Sequence, residues 1–326
     1  MKHESKALEG NPLGDPHVRK LPVYLPAGYE ENGDERYPAV YLLSGFTGRG
    51  SMMLNESSFE PNIAERLDIL IGSGRVRPLI AVLPDCFTRY GGSQYINSSA
   101  TGEYQTYLTD ELVPFIDENF RSIDDRRSRA VAGKSSGGYG ALILAMRHAD
   151  KFAYAASIAG DCYFEVGYKP DLRKAFRAIK GDPMKIVDKF LDEEKKKGGN
   201  DFEALNAIGM ASCYSPNPDS DLGFDLPFDV ETGEILEAVW DRWLRHDPVH
   251  LAEQHADALR KMELLYIEAG KSDEFGLDIG ARVLSGKLSE LGIDHVHKEF
   301  DGGHFNINYR YNCALEAISR AMDKVR

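Results

Sequence analysis

Apolar positions along the chain follow two rhythms. Short strand-like runs, most of them apolar almost throughout, recur at residues 17–25 (HVRKLPVYL), 37–45 (YPAVYLLSG), 78–85 (PLIAVLPD), 129–135 (RAVAGKS), 152–160 (FAYAASIAG), 262–270 (MELLYIEAG) and 295–304 (HVHKEFDGGH). Between them, apolar residues recur every three or four positions. Residues 104–120 place Tyr107, Leu108, Leu112, Phe115 and Ile116 on one side of a helix, and 140–149, 277–291 and 307–322 also read as helices. Near-continuous apolar strands separated by helices predict an α/β fold with a mostly parallel, doubly wound sheet covered on both faces. In such sheets ligands bind beyond the carboxyl ends of the strands, so residues there are the ones to inspect.

The alternation stops after Gly160. From 162 to 247 the chain reads as helices and loops. Asp182 and Pro183 open a helix whose stripe is Ile186, Val187, Phe190 and Leu191, and Gly198 and Gly199 close it. Lys195, Lys196 and Lys197 then form its solvated carboxyl end. A loop rich in Pro and Asp covers 215–229, and a helix carrying Trp240 and Trp243 follows. The organisation expected is an α/β core over 1–161 and 248–326, with a helical cap inserted over 162–247.

One strand end carries Gly133-Lys134-Ser135-Ser136-Gly137, between an apolar strand and a strong helix. That context makes G-x-S-x-G a nucleophile elbow. A sharp strand-to-helix turn lifts Ser135 above the sheet, and side chains at 133 or 137 would clash with strand and helix. The helix start also aims N–H groups at a developing oxyanion. A serine hydroxyl needs a base and an orienting acid, which follow in the order Ser, Asp or Glu, His in this type of fold. His304, after two glycines past the last strand, is the expected base. Asp273, past the strand before it, is the expected acid. Glu274 is the second choice and Glu268, inside the strand, the third. Asp273 also suits the N-cap of the helix that follows. The expected oxyanion donors are the N–H groups of Ser136 and of Phe46, the latter in the glycine-flanked loop 44–48. Cys86 and Cys162 lie just past strand ends and are pocket candidates. So are the cap aromatics Phe224, Phe228, Trp240 and Trp243. Lys134 adds positive potential beside the serine or packs at the surface.

Charge and composition narrow the classes. The 326 residues include 39 Lys and Arg against 52 Asp and Glu, for a net charge of −13. That excess of acid argues against nucleic acid as partner, since phosphates need a basic face. No run of 18 apolar residues exists, so no membrane-spanning helix is expected. The first residues, MKHESKALEGNPLGD, lack the apolar run of a secretory leader. Cys86, Cys162, Cys213 and Cys313 form no C-x-x-C pair and suit free thiols in a reducing cytoplasm. His246, His250 and His255 lack carboxylates at ligand spacing. His295 and His297 lie on one strand face and read as structural. Asp219, Asp221 and Asp225 lack the glycine and final Glu of a calcium loop. No metal and no cofactor are expected. A homodimer is compatible with such a chain.

With these motifs in place the chain resembles the esterase D-like “putative esterase” family of α/β-hydrolases. That group includes S-formylglutathione hydrolases, feruloyl and acetyl esterases, enterochelin esterases and mycolyltransferases. The matching stretches are VYLP (23–26), YPAVYLLSGFTG (37–48), VLPD (82–85), YLTDELVPFIDENF (107–120), GKSSGGYGAL (133–142), GKSDEF (270–275) and FDGGH (300–304). The resemblance implies an α/β-hydrolase fold with Ser135, Asp273 and His304 as nucleophile, acid and base, and it favours Phe46 and Ser136 as oxyanion donors. GKSSGG departs from the His and Met that S-formylglutathione hydrolases carry around the serine. The block at 162–247 is also longer than theirs. The expected function is a serine carboxylesterase acting on short-chain or aromatic acyl esters. An acyltransferase or thioesterase on the same triad is the alternative, and a non-catalytic binding module the remote one.

Overall fold

Seven strands form the central sheet of the computed structural model, which describes residues 1–192 and 194–324. They are β1 (Val23–Tyr24), β2 (Ala39–Leu43), β3 (Ile80–Val82), β4 (Arg129–Lys134), β5 (Tyr154–Ile158), β6 (Leu264–Gly270) and β7 (Val296–Phe300). Their order across the sheet is β7-β6-β5-β4-β2-β3-β1. All neighbours are parallel except β1, which runs antiparallel to β3 at the edge. The carboxyl ends of β2, β4, β5, β6 and β7 therefore open on one edge. The run at 17–25 predicts a single strand, but the chain makes two. Val18–Lys20 pairs with Lys2–Glu4 in a separate ribbon, and only Val23–Tyr24 joins the main sheet. Pro22 lies between them and carries no N–H for a ladder.

The helices of seven residues or more are α1 (Ile63–Gly72), α2 (Val113–Asn119), α3 (Ser136–Arg147), α4 (Lys169–Ile179), α5 (Met184–Leu191), α6 (Asp201–Tyr214), α7 (Glu237–Leu244), α8 (Pro248–Gln254), α9 (Leu277–Glu290) and α10 (Tyr311–Lys324). The helix expected over 104–120 runs without a gap from Tyr104 to Asn119 but widens to a π-helix over Tyr107–Leu112 before α2. There Val113 N–H reaches back to the Leu108 carbonyl, and the following Pro114 has no N–H to donate. No helix among the described residues is long and apolar enough to cross a membrane.

The period of two along each strand splits the core. Val40, Leu42, Ala130, Ala132, Ala156 and Ile158 pack beneath α1 and α10. Tyr41, Leu43, Val131, Ala155 and Ile267 belong to the opposite cluster, with α3. The segment over 162–247 contributes α4 to α7 and no strand to the sheet. Its Phe164, Tyr214, Trp240 and Trp243 are buried in the same cluster as α3. Helix α5 stops at Leu191, short of the expected glycine pair, because its apolar stripe ends there. The three lysines follow in a loop, where Lys197 Nζ donates to the Asp192 carbonyl at 2.8 Å.

Helix α3 starts directly on the end of the sheet. A Cβ on Gly137 would collide with the Leu43 carbonyl of β2, and one on Gly133 would strike the backbone of Gly137. One on Gly138 would stand 2.7 Å from Gly160 Cα. These are contacts with backbone, which has no rotamer to yield. Gly137→Ala should therefore lower stability by about 3 kcal/mol or more. Urea unfolding of the two proteins checks this, and an unchanged midpoint would contradict the contact.

Candidate active site

Ser135 sits between β4 and α3 with φ 58° and ψ −127°, a strained conformation for a residue with a side chain. The turn is held by Ser135 N–H donating to the Ile158 carbonyl of β5 at 3.0 Å. The serine is partly exposed, at the floor of a cleft. The first turn of α3 leaves N–H groups without partners inside the helix, Ser136 N–H among them.

The structure brings Ser135, His304 and Asp273 into one hydrogen-bonded line. His304 Nε2 is 3.0 Å from Ser135 Oγ, and His304 Nδ1 is 2.9 Å from Asp273 Oδ2. Both ionisable side chains are buried. The other oxygen, Asp273 Oδ1, accepts Phe275 N–H at 2.9 Å and Leu277 N–H at 3.3 Å. One carboxylate thus faces the imidazole and also accepts N–H groups at the approach to α9, without occupying the N-cap position expected for it. The formal cap position of that helix is Gly276, at φ 71°.

Glu274, the second choice for the acid, holds the same histidine by its backbone. His304 N–H donates to Glu274 Oε2 at 2.6 Å. The approach needs Gly303, where a Cβ would come 2.5 Å from Oε2. Further bonds join the two loops, from Lys271 N–H to the Phe300 carbonyl and from Ser272 N–H to the Gly302 carbonyl. The third choice, Glu268, faces away from this line, buried against Arg310 and Tyr266 OH.

Phe46 follows β2 and lines the cleft. Its N–H makes no hydrogen bond among the described residues. Its ring fills a slot in which a Cβ on Gly91 would lie 2.5 Å from Cζ and one on Gly209 of α6 would lie 2.8 Å from Cε2. Lys134 is half-buried, and burial lowers its pKa from the usual lysine range. Its Nζ donates to Asn308 Oδ1 at 3.3 Å. The cleft measures about 330 Å³, and its apolar walls come from Phe46, Tyr168, Phe202, Phe275, Leu277 and Phe305.

The remaining pocket candidates are elsewhere. Trp240 and Trp243 are turned into the core, where their Nε1–H groups donate to Glu165 Oε1 at 2.8 Å and Ser215 Oγ at 2.9 Å. Phe224 and Phe228 are buried beside them. Cys86 is enclosed in the same cluster, and Cys162 packs against Gly280 of α9. None of the six lines the cleft. Burial pushes both thiols up, away from the reactive thiolate form. The residues of the helical segment that do line it are Gly167, Tyr168, Asp171, Phe202, Glu203 and Asn206, none of them singled out by sequence. Nor does the sequence pattern mark Asp161, which also lines the cleft. Its signal was a position one residue past Gly160 at the end of β5, on the edge that carries Ser135. No cluster of His, Cys, Asp and Glu among the described residues could hold a metal ion.

A family model described as “Putative esterase” matches residues 16–312. The chain is similar to an endo-1,4-beta-xylanase/feruloyl esterase of Xylanibacter ruminicola, with 31% identity over 197 residues. That match covers 58% of this chain and 25% of the relative, so the chain spans a quarter of the relative's length. A solved ferulic acid esterase superposes with a TM-score of 0.62 at 21% identity, covering 98% of this chain and 97% of its own. An S-formylglutathione hydrolase from Agrobacterium tumefaciens does so with a TM-score of 0.60 at 17% identity, covering 99% and 94%. The likeness to these structures is one of fold, the α/β-hydrolase fold.

The Glu274–His304 contact has a measurable consequence. Glu274→Ala should leave the protein folded but slow its labelling by a fluorophosphonate about tenfold, the scale of a slightly misplaced reacting group. Glu274→Gln, which keeps an acceptor oxygen, should recover most of the rate. Equal rates in all three proteins would remove Glu274 from the site.

Proposed function

This chain belongs to the esterase family whose model it matches over residues 16–312, and on that premise we propose that it is a serine carboxylesterase acting through Ser135, His304 and Asp273. The observation that carries the proposal is the pair of distances, 3.0 Å from serine to imidazole and 2.9 Å from imidazole to carboxylate, on a serine strained into an elbow.

Ser135 Oγ attacks the ester carbonyl carbon while His304 Nε2 takes its proton. Asp273 keeps the imidazole in the tautomer with its proton on Nδ1 and stabilises the imidazolium that forms. The carbonyl oxygen becomes an oxyanion between the N–H groups of Phe46 and Ser136, neither of which has a hydrogen-bond partner among the described residues. His304 then protonates the departing alcohol. Water enters, gives its proton to His304, and releases the acid from the acyl-enzyme. Every step is a proton transfer or an acyl transfer, with Ser135 and then water as the acyl acceptor and His304 as the proton carrier.

A cleft of about 330 Å³ with aromatic walls suits a short-chain or aromatic acyl group. The helical segment over 162–247 serves as the cap that shapes it, through α4 and α6 rather than through its tryptophans.

Ser135→Ala should abolish p-nitrophenyl acetate turnover with the circular dichroism spectrum unchanged. Asp273→Asn should lower kcat by about a thousandfold or more, because the imidazole then loses its anionic partner. Turnover by Ser135→Ala at the wild-type rate would falsify the proposal.

A further inference from the structure

Asp161 is a buried carboxylate one bond away from the proposed oxyanion donor. Its Oδ2 takes three neutral donors, namely Tyr168 OH at 2.8 Å, Ser136 Oγ at 3.1 Å and Gln94 Nε2 at 3.2 Å. Oδ1 takes none among the described residues, and Asp161 lines the cleft. No Lys or Arg stands within ion-pair distance of it among the described residues, although Asp171 and Glu203 on the same wall share Lys174. Burial raises its carboxyl pKa above the usual range.

Two physical arguments say that the fold alone does not account for this group. A buried carboxylate is costly to keep when it has no Lys or Arg partner among the described residues and the nearby histidine, His304, already faces Asp273 and Ser135. A negative charge beside an oxyanion site also opposes the charge that develops there. The bonds to Tyr168, Ser136 and Gln94 use a single oxygen, and an asparagine could accept them equally well. The second oxygen accepts no hydrogen bond among the described residues, on an aspartate that lines the cleft, and it is the atom an asparagine would not reproduce. The hydroxyl of Ser136 fixes where the group stands relative to the ester, since Ser136 N–H faces the carbonyl oxygen.

We infer that Asp161 is a specificity-determining residue whose Oδ1 accepts a hydrogen bond from a donor on a short acyl group, a hydroxyl or an ammonium near the ester carbonyl. The inference rests on Ser135 as nucleophile. A hydroxyl or N–H on the acyl chain would complete the carboxylate's hydrogen bonding and screen it from the oxyanion. Charge-assisted bonds of this kind are the strong ones. A substrate without the donor leaves the carboxylate desolvated and unpartnered, which penalises it in binding and in the transition state alike.

The test compares ethyl lactate, ethyl 2-methoxypropionate and ethyl propionate, with ethyl 3-hydroxybutyrate against ethyl butyrate for a donor one carbon further out. Ethyl alaninate is the ammonium arm. The methoxy ester keeps the electron withdrawal of lactate but has no donor. In the wild-type protein kcat/KM, corrected for hydroxide-catalysed rates, should favour a hydroxy or amino ester over its donor-free partner by about ten- to a hundredfold. The arm with the larger ratio identifies the donor. Asp161→Asn keeps one acceptor for Tyr168, Ser136 and Gln94 but offers an NH2 in place of Oδ1, so the lactate-to-methoxy ratio should fall to near one. Ratios near one for every pair in the wild-type protein would overturn the inference, and so would a ratio unchanged in Asp161→Asn. The wild-type ratios stand even if that variant does not fold. Loss of the underlying reading looks different, because Ser135→Ala would then hydrolyse the same esters at the wild-type rate.

Discussion

Direct backbone contact between the start of α3 and the end of β2 is the constraint on which the site rests. Gly133 and Gly137 let the helix begin where any side chain would strike the Leu43 carbonyl or the helix itself. The chain must then turn within one residue, and Ser135 takes the strain at φ 58°. Three consequences follow from that one turn. The hydroxyl stands above the sheet edge, the N–H of Ser136 is left without an internal partner, and the loop after β2 lies against the serine, with a Cβ on Gly45 only 3.4 Å from Ser135 Cβ. The cost of the strained serine is carried by a turn packed too tightly to relax.

The second half of the site is held by charge rather than by close packing of glycines alone. Two adjacent acids, Asp273 and Glu274, grip one histidine from two directions, by its ring and by its main chain. Each carboxylate also satisfies backbone N–H groups or lies against a glycine, so neither is stranded. The imidazole is further bounded by the rings of Phe275 and Phe305, at 4.9 and 5.6 Å between centroids. A histidine fixed in this way loses little freedom when it must carry a proton over a short distance.

Much of this was legible in the sequence, for local reasons. Ser135, Asp273 and His304 each lie within a few residues of an apolar run, and a parallel sheet brings such positions to one edge whatever the loops do. The strand–glycine–serine–glycine–helix pattern is steric and needs no distant partner. The helical segment was harder. Periodicity marks which face of a helix is buried but not what covers it, so Trp240 and Trp243 read as pocket walls when they are core, and Tyr168 and Phe202 went unremarked. Asp161 escaped because a single acid in a loop has no pattern at all. Its meaning comes from Gln94 and Tyr168, which converge on it only in three dimensions. The division at Pro22 and the widened turn before Pro114 lay in plain view as prolines, and the apolar run around each concealed them.

Phe46 ties the two parts of the molecule together. Its main chain belongs to the loop beside Ser135, while its ring is wedged against Gly209 in α6 and the glycines after β3. A Cβ on Gly209 would also lie 2.6 Å from the Tyr90 carbonyl, so the helix has no room to shift toward the loop. The helical segment is therefore not an interchangeable lid. Exchanging it for the corresponding segment of a relative would unseat the ring that holds the loop, unless the residue facing Phe46 were again a glycine. Gly209 is thus pinned from two sides, by the Phe46 ring and by the Tyr90 carbonyl, and a segment grafted in its place must bring a glycine to the same point.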